Sequence, residues 1–289
     1  MFGECHAHIA MDGVDYAAAM RKHADGPCEA HIRACFAAYR EHGITFVRDG
    51  GDKYGVSAAA KAIAPEYGID YRSPIFAIHE KGNYGSIVGR AFTSMGEYAA
   101  LVDEAAESGA DFIKIMTTGI MDFNEFGRIT HHDLPADDVR EMVHIAHEHG
   151  LAVMAHTNGK RAVIDAVTAG ADSIEHGNYI DAECIDALAG SRTCFVPTAT
   201  VARNLIGSGL FDDAVLNRIA RASLDAIAAA VEAGCLIAIG SDAGAVGVSH
   251  ATGTLSEYAC FADAVSDTAL LHKRLNEGEA FIRETFRRA

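Results

Sequence analysis

The sequence is poor in positive charge and lacks the features of several common protein classes. Its 289 residues include 24 lysines and arginines against 40 aspartates and glutamates, for a net charge of −16. This balance argues against nucleic acid or an anionic membrane surface as a partner. No apolar run reaches the roughly 18 residues that a membrane-spanning helix needs, and the basic and apolar regions of a signal peptide are missing. We expect a cytoplasmic protein with a small-molecule substrate, although the charge itself, much of it on a solvated surface, says little about that substrate.

The sequence contains seven cysteines, an odd number, and no C-x-x-C pair. Six of the seven lie among alanine and aliphatic residues, as reduced core cysteines do. Cys5 is adjacent to two histidines, but on a regular strand its side chain points away from the face shared by His6 and His8. We expect no structural disulfide, and Cys5 is a weak candidate for a metal ligand.

Short apolar runs alternate with amphipathic stretches along the chain. In the stretch 136–149, apolar residues recur at helical spacing, and a glycine then precedes the next apolar run. The same junction recurs several times, which indicates a repeated βα unit. The predicted strands are 3–8, 45–48, 73–78, 112–116, 152–156, 173–176, 194–197 and 237–241. The predicted helices are 30–42, 57–64, 95–108, 136–149, 160–169, 182–188 and 215–233.

Eight βα units in one continuous pattern predict a (β/α)8 TIM barrel, with residues 1–289 forming a single domain. The G-x-G-x-x-G turn of an open nucleotide-binding sheet is missing after the first strand. The tail 268–289 is helical in pattern and rich in charge. We expect it to be exposed or to pack on a partner, which leaves room for a homo-oligomer.

Polar residues follow or end several of the predicted strands. Histidines 6 and 8 are two apart, so on a strand their side chains point the same way. In a barrel the carboxyl ends of all strands meet at one rim, and histidine nitrogens and carboxylate oxygens suit zinc and related divalent ions. The candidate metal ligands are His6, His8, Lys114, His156, His176 and Asp242.

The lysine in this set requires a chemical explanation, because a protonated amine cannot bind a cation. Lys114 would become a ligand if CO2 converted its amine to a carbamate, an anion with two oxygens that can bridge two ions. Two ions about 3.5–4 Å apart can share a hydroxide and polarise a substrate oxygen. Asp242 would then bind one ion and accept the proton of that hydroxide.

The segments around these residues carry a resemblance to a known family. GITFVRDGG, FIKIMTTG, HEHGLAVMAHTNG, AVTAGADSIEHG, FVPTATV and AIGSDAG resemble the amidohydrolase superfamily, within it the imidazolonepropionase- and prolidase-like branch. The resemblance implies a binuclear centre of two divalent ions, zinc first, with manganese, cobalt or iron as alternatives. His6, His8 and Asp242 would hold the more buried ion, His156 and His176 the other, and Lys114 would bridge as the carbamate.

Members of this branch usually carry a small β-sandwich built from both termini, whereas this sequence begins at the first barrel strand. We expect either that the accessory sandwich is lacking or that the sequence is partial. The resemblance further implies hydrolysis of an amide or peptide bond, dipeptidase-like or N-acyl amino acid hydrolase-like, with Asp242 as general base and then general acid.

Other functions remain open. A lactonase or a phosphotriesterase-like hydrolase would use the same six ligands, and a non-catalytic metal-binding scaffold is a further alternative. A deaminase is disfavoured, because such members usually have a glutamate where this chain has Gly159. Candidates for substrate contact, each with a competing structural role, are Tyr84, Tyr179, Arg203 and His250. The loop 121–134 is long enough to act as a lid.

Overall fold

Parallel strands joined by helices build the fold, and the computed structural model describes residues 2–288. The strands are β1 (Glu4–Ala7), β2 (Phe46–Asp49), β3 (Asp70–Arg72), β4 (Ala77–Glu80), β5 (Gly89–Phe92), β6 (Ile113–Met116), β7 (Val153–Thr157), β8 (Ser173–His176) and β9 (Cys194–Val196). The helices are α1 (Tyr16–Lys22), α2 (Glu29–Glu41), α3 (Val56–Ile63), α4 (Met95–Glu107), α5 (Ala136–Glu148), α6 (Lys160–Ala169), α7 (Ala182–Ala189), α8 (Thr200–Leu205), α9 (Asp213–Ala233), α10 (Thr252–Ala264) and α11 (Thr268–Thr285).

The strands form two parallel sheets, in the orders β1-β2-β3 and β5-β4-β6-β7-β8-β9. The segment 236–243 connects them. The Phe195 amide of β9 donates to the Leu236 carbonyl at 2.8 Å, and the Cys5 amide of β1 donates to the Ile239 carbonyl at 2.8 Å. This segment lies at the predicted position of the eighth strand, although it is joined by isolated bridges instead of a regular ladder. The mixed α/β class with parallel strands is confirmed.

The third barrel position differs from the single strand predicted over 73–78. It consists of two short strands, because β3 pairs with β2 while β4 pairs with β6. Ile75, between them, has a φ of 67°, which is incompatible with a continuous strand and unfavourable for a β-branched residue. The prediction was wrong about the bounds because apolar content does not reveal such a break. The four-residue strand β5 beside β4 was also missed.

The helices follow the predicted apolar pattern closely. In α5 the buried residues are Val139, Met142, Val143 and Ala146, the face expected from the sequence, and α6 has the predicted bounds. The largest apolar cluster lies between strands β6–β9 and the helices outside them. The short helices α1 and α8 were not predicted, because they are only seven and six residues long.

One face of the charged tail packs on this chain's own barrel, while its other face is exposed as expected; a partner for that face stays a prediction. Helix α11 runs so close to the barrel that a Cβ on Gly278 would lie 2.0 Å from the Ile237 carbonyl oxygen. Beyond it, the Phe286 ring contacts Phe112 at 5.2 Å between centroids. Phe112 precedes β6, so the tail covers the amino-terminal end of the strands and leaves the opposite rim open. None of the helices in residues 2–288 is long and apolar enough to cross a membrane.

Candidate metal centre

One cavity at the carboxyl ends of the strands contains all the predicted metal ligands. Its volume is about 250 Å³. The histidines reach it from the carboxyl-terminal half of a strand or the residue after it, Asp242 reaches it from the segment 236–243, and Lys114 reaches it from within β6. The ligands that line the cavity are His6, His8, Lys114, His156, His176 and Asp242.

The distances divide the ligands into two contiguous groups. Asp242 Oδ1 lies 3.4 Å from His8 Nε2 and 3.6 Å from His6 Nε2. The rings of His156 and His176 are 4.5 Å apart between centroids, and His176 is 5.0 Å from His6. A first group of two histidines and a carboxylate therefore adjoins a second pair of histidines.

Hydrogen bonds orient three of the imidazoles. His6 Nδ1 lies 2.7 Å from Glu175 Oε2, His156 Nε2 lies 3.0 Å from the Gly119 carbonyl, and His176 Nδ1 lies 2.8 Å from Thr198 Oγ1. In each case the second ring nitrogen has no such partner among the described residues. Metal-binding histidines commonly use one nitrogen for the ion and the other for a fixed acceptor.

Some of the buried nitrogen atoms in the cavity have no hydrogen-bond partner among residues 2–288, and Lys114 Nζ and His6 Nε2 are two of them. Such orphaned groups are costly and call for an explanation, and a bound cation supplies one for the imidazole. Burial lowers the pKa of His8 and of His156 to about 3, so their imidazoles are neutral and can donate lone pairs. The donor set therefore fits divalent ions.

Burial also affects two further candidate ligands of the cavity. It lowers the pKa of Lys114 to about 8 and raises that of Asp242 to about 7, since removal from water disfavours the charged form of each. A neutral amine is the form that can react with CO2. The lowered pKa increases the share of this neutral form at Lys114.

The backbone is strained at two of the ligands. His176 has a φ of 70° and Asp242 a φ of 59°, and residues other than glycine rarely adopt this left-handed conformation. The Asp242 amide donates to the His6 carbonyl at 2.8 Å, which ties the strained residue to β1. Strain that the surrounding structure enforces is frequent at functional sites.

A buried ion pair behind His6 was not predicted. Arg48 Nη2 donates to both oxygens of Glu175, at 2.9 and 3.0 Å, and Arg48 Nη1 donates to Ser173 Oγ at 2.9 Å. Arg48 and Glu175 are fully buried. The available signal was a charged residue inside each of two apolar strands, FVRD and SIEH, since buried charges occur almost only when paired.

Of the predicted substrate contacts, Tyr84 lines the cavity. Its ring lies 4.8 Å from that of His156 between centroids. Tyr179 is outside the lining of this cavity and packs edge-on against Phe126, with 5.2 Å between centroids.

The two other candidates form contacts of their own away from the cavity. Arg203 Nη2 pairs with Asp263 at 2.6 Å. His250 Nε2 lies 2.9 Å from the Met11 carbonyl, and its Nδ1 lies 3.2 Å from the Tyr39 hydroxyl. Cys5, the weak candidate ligand, is buried away from the cavity, and burial raises the pKa of its thiol well above the usual range.

The loop expected as a lid contributes to the cavity wall. Met121 and Phe123 line the cavity, and the Phe123 ring contacts Phe211 at 4.9 Å between centroids. Phe211 lies between α8 and α9, so two loops from different parts of the chain meet at the mouth.

These observations agree with a comparison against protein families. A model described as the amidohydrolase family matches residues 3–283. The chain belongs to the amidohydrolase family. This confirms the resemblance seen in the sequence, and members of the family typically use a divalent metal ion.

Among curated relatives, ochratoxinase of Aspergillus niger is 26% identical over 280 residues, an alignment covering 83% of this chain and 56% of that protein. The chain thus spans about half the length of the curated relatives it matches. Among solved structures, a Xaa-Pro dipeptidase with methionine in its active site has a TM-score of 0.79 and 22% identity, covering 98% of this chain and 75% of the other. The A. niger ochratoxinase structure has a TM-score of 0.75 and 22% identity, covering 99% and 71%. These structures share the fold.

Proposed function

We propose that this amidohydrolase is a metal-dependent hydrolase of amide or peptide bonds in a small molecule of the dipeptide or N-acyl amino acid type. The observation that carries the proposal is the convergence of six donors on one cavity, with Lys114 Nζ and His6 Nε2 buried and without a hydrogen-bond partner in the described chain. The names of the similar proteins, ochratoxinase and Xaa-Pro dipeptidase, support an amide substrate.

The residues have distinct proposed roles. His6, His8 and Asp242 would hold one divalent ion, His156 and His176 a second, and a carbamate on Lys114 would bridge them (six ligands in all). When bound, the ions would activate water and polarise the substrate carbonyl. Zinc is the first candidate, with manganese, cobalt and iron as alternatives.

Asp242 would move the proton. Its carboxylate lines the cavity beside His6 and His8, so it can accept a proton from the attacking water and deliver it to the departing amine. Tyr84, beside His156, is placed to contact the substrate. All seven cysteines are free, which supports the proposed cytoplasmic location.

The test is hydrolysis by protein produced with bicarbonate and loaded with zinc or manganese. Dipeptides and N-acyl amino acids should be cleaved, a chelator should abolish cleavage, and metal analysis should find two ions per chain. Lys114→Ala should lose most metal and activity, whereas Val14→Arg, at an exposed residue outside the cavity, should retain both. Cleavage of lactones or phosphotriesters alone, or a metal content near zero, would contradict the proposal.

A further inference from the structure

The cavity wall has an unusual charge distribution for a site that would accept a free amino acid or dipeptide. Among the described residues, the only lysine or arginine that lines the cavity is Lys114, which belongs to the candidate metal centre. Arg203, the cation that the sequence suggested as a substrate contact, is paired with Asp263 outside the lining. No side chain in this lining is therefore available as the cationic partner of a substrate carboxylate.

Most neutral polar side chains of the wall, Tyr84 excepted, form hydrogen bonds within the protein. Asn158 Nδ2 donates to the Gly119 carbonyl at 3.0 Å, and Asn178 Nδ2 donates to Asn158 Oδ1 at 2.8 Å. The Tyr16 hydroxyl donates to the Ile87 carbonyl at 3.3 Å. These contacts leave few polar donors for an anion.

The rest of the wall is apolar and belongs to two packing clusters. Val88 and Met116 form one with Tyr84 and Ile87. The second wall contains Met121, Phe123 and Val201, which belong to a different cluster, and Phe211 packs on Phe123. The two groups give the cavity two apolar walls, which meet at Met11, a residue packed against both clusters.

From these features, and resting on the function proposed above, we infer a preference among its substrates: small dipeptides and N-acyl amino acids that are apolar on both sides of the scissile bond react faster when their carboxylate is blocked than as free acids. The ions of the proposed function would be engaged by the attacking water and the scissile carbonyl, so a carboxylate elsewhere in the cavity would lose its hydration without a cationic partner, whereas apolar groups gain from both walls. The volume of about 250 Å³ is below the roughly 300–1,000 Å³ of sites for drug-sized ligands, which favours a small molecule.

The test compares N-acetyl-leucinamide with N-acetyl-leucine, two compounds with the same acetyl–nitrogen bond. Acetate release by the metal-loaded protein should give a kcat/KM at least about tenfold higher for the leucinamide. An equal or higher value for the free acid would overturn the inference while leaving amide hydrolysis intact. Cleavage of other amides but of neither compound would also overturn it. Failure with every amide would instead refute the proposed function on which the inference rests.

A variant supplies a second readout. Val246 lines the cavity and is 36% exposed, so an arginine there can be accommodated at the rim. Val246→Arg should shift the ratio of the two kcat/KM values toward N-acetyl-leucine by about tenfold. Val246→Gln should affect both compounds alike, and Val14→Arg should change neither value. A ratio that stays constant in Val246→Arg would show that the missing cation does not set the preference.

Discussion

His6 Nδ1 lies 2.7 Å from Glu175 Oε2, and this contact connects the first candidate ligand to the interior of the barrel. The same carboxylate accepts two hydrogen bonds from Arg48. The Glu175 carboxylate thus accepts hydrogen bonds from the Arg48 guanidinium on one side and contacts the His6 imidazole on the other. The arrangement fixes the His6 ring with Nε2 available to an ion, and outer partners of this kind tune metal affinity.

We predict that Glu175→Gln lowers metal affinity by about 10- to 100-fold, because the amide replaces the charged acceptor of His6. The variant should also lose about 3–5 kcal/mol of unfolding free energy, since Arg48 becomes a buried charge without its partner. Competition with a chromophoric chelator measures the first effect and denaturant unfolding of metal-free protein the second.

The matched control for this prediction is Ser173→Ala. Ser173 Oγ forms hydrogen bonds with Arg48 and with Glu175 but not with His6. The control should therefore retain most of the metal affinity. If Glu175→Gln bound metal as tightly as the unaltered protein, the carboxylate would have no role in orienting His6.

Gly50 provides the room that the His8 ring occupies. A Cβ at this position would lie 2.2 Å from His8 Cε1, so Gly50→Ala should displace the ring and lower metal affinity at least about tenfold, because a ligand must be held within about 0.5 Å of its productive position. A zinc titration monitored by calorimetry measures the change in metal affinity.

Gly96→Ala is the control for Gly50→Ala. Gly96 lies in the first turn of α4, and a Cβ at this position would have its nearest neighbouring atom 3.9 Å away. Alanine should raise the free energy of unfolding by up to about 1 kcal/mol there, because it favours helix over glycine. Unchanged zinc affinity in Gly50→Ala would mean that the His8 ring can relocate freely.

The convergence of the candidate metal ligands on one cavity could be predicted because their placement depends on few conditions. His156 needs a strand of about the right length and the rule that strand ends meet at one rim, and both can be derived from the apolar pattern. The same reasoning located Asp242 even though its segment is not a regular strand.

The contacts around the ligands could not be predicted, because they depend on distances across the barrel. The pair Arg48–Glu175 joins β2 to β8, which are far apart in the chain. The contacts of Arg203 and His250 depend on the conformation of the segments that follow the strands, which apolar spacing does not specify. Arg203 pairs with Asp263 instead of lining the cavity.

Glu257 should make stability depend on pH. Burial raises the pKa of its carboxyl to about 8 from 4.5, although the Thr200 and Ala199 amides both donate to it. Between these values the folded protein binds more protons than the unfolded chain, so the contribution of Glu257 to stability falls as the pH rises. Glu257→Gln cannot ionise and should lack this loss.

Urea unfolding of metal-free protein and variant at about pH 5, 6.5 and 8 tests this linkage. The unaltered protein should become progressively less stable relative to Glu257→Gln as the pH increases. A constant difference over this range would show that Glu257 is already ionised in the folded protein at about pH 5.

Lys114 is expected to lower the stability of the metal-free protein and to be required for metal binding. Its amine is buried and has no hydrogen-bond partner in the described chain, so Lys114→Met should raise the free energy of unfolding of the metal-free protein by about 1–3 kcal/mol. With zinc and bicarbonate the order of the two stabilities should reverse, because the unaltered protein gains binding free energy that the variant cannot gain.

Lys61→Met is the control, since Lys61 Nζ donates to Asp111 at 2.8 Å and its replacement should destabilise the metal-free and the zinc-loaded protein alike. A Lys114→Met protein that gained as much stability from zinc as the unaltered one would rule out Lys114 as a ligand.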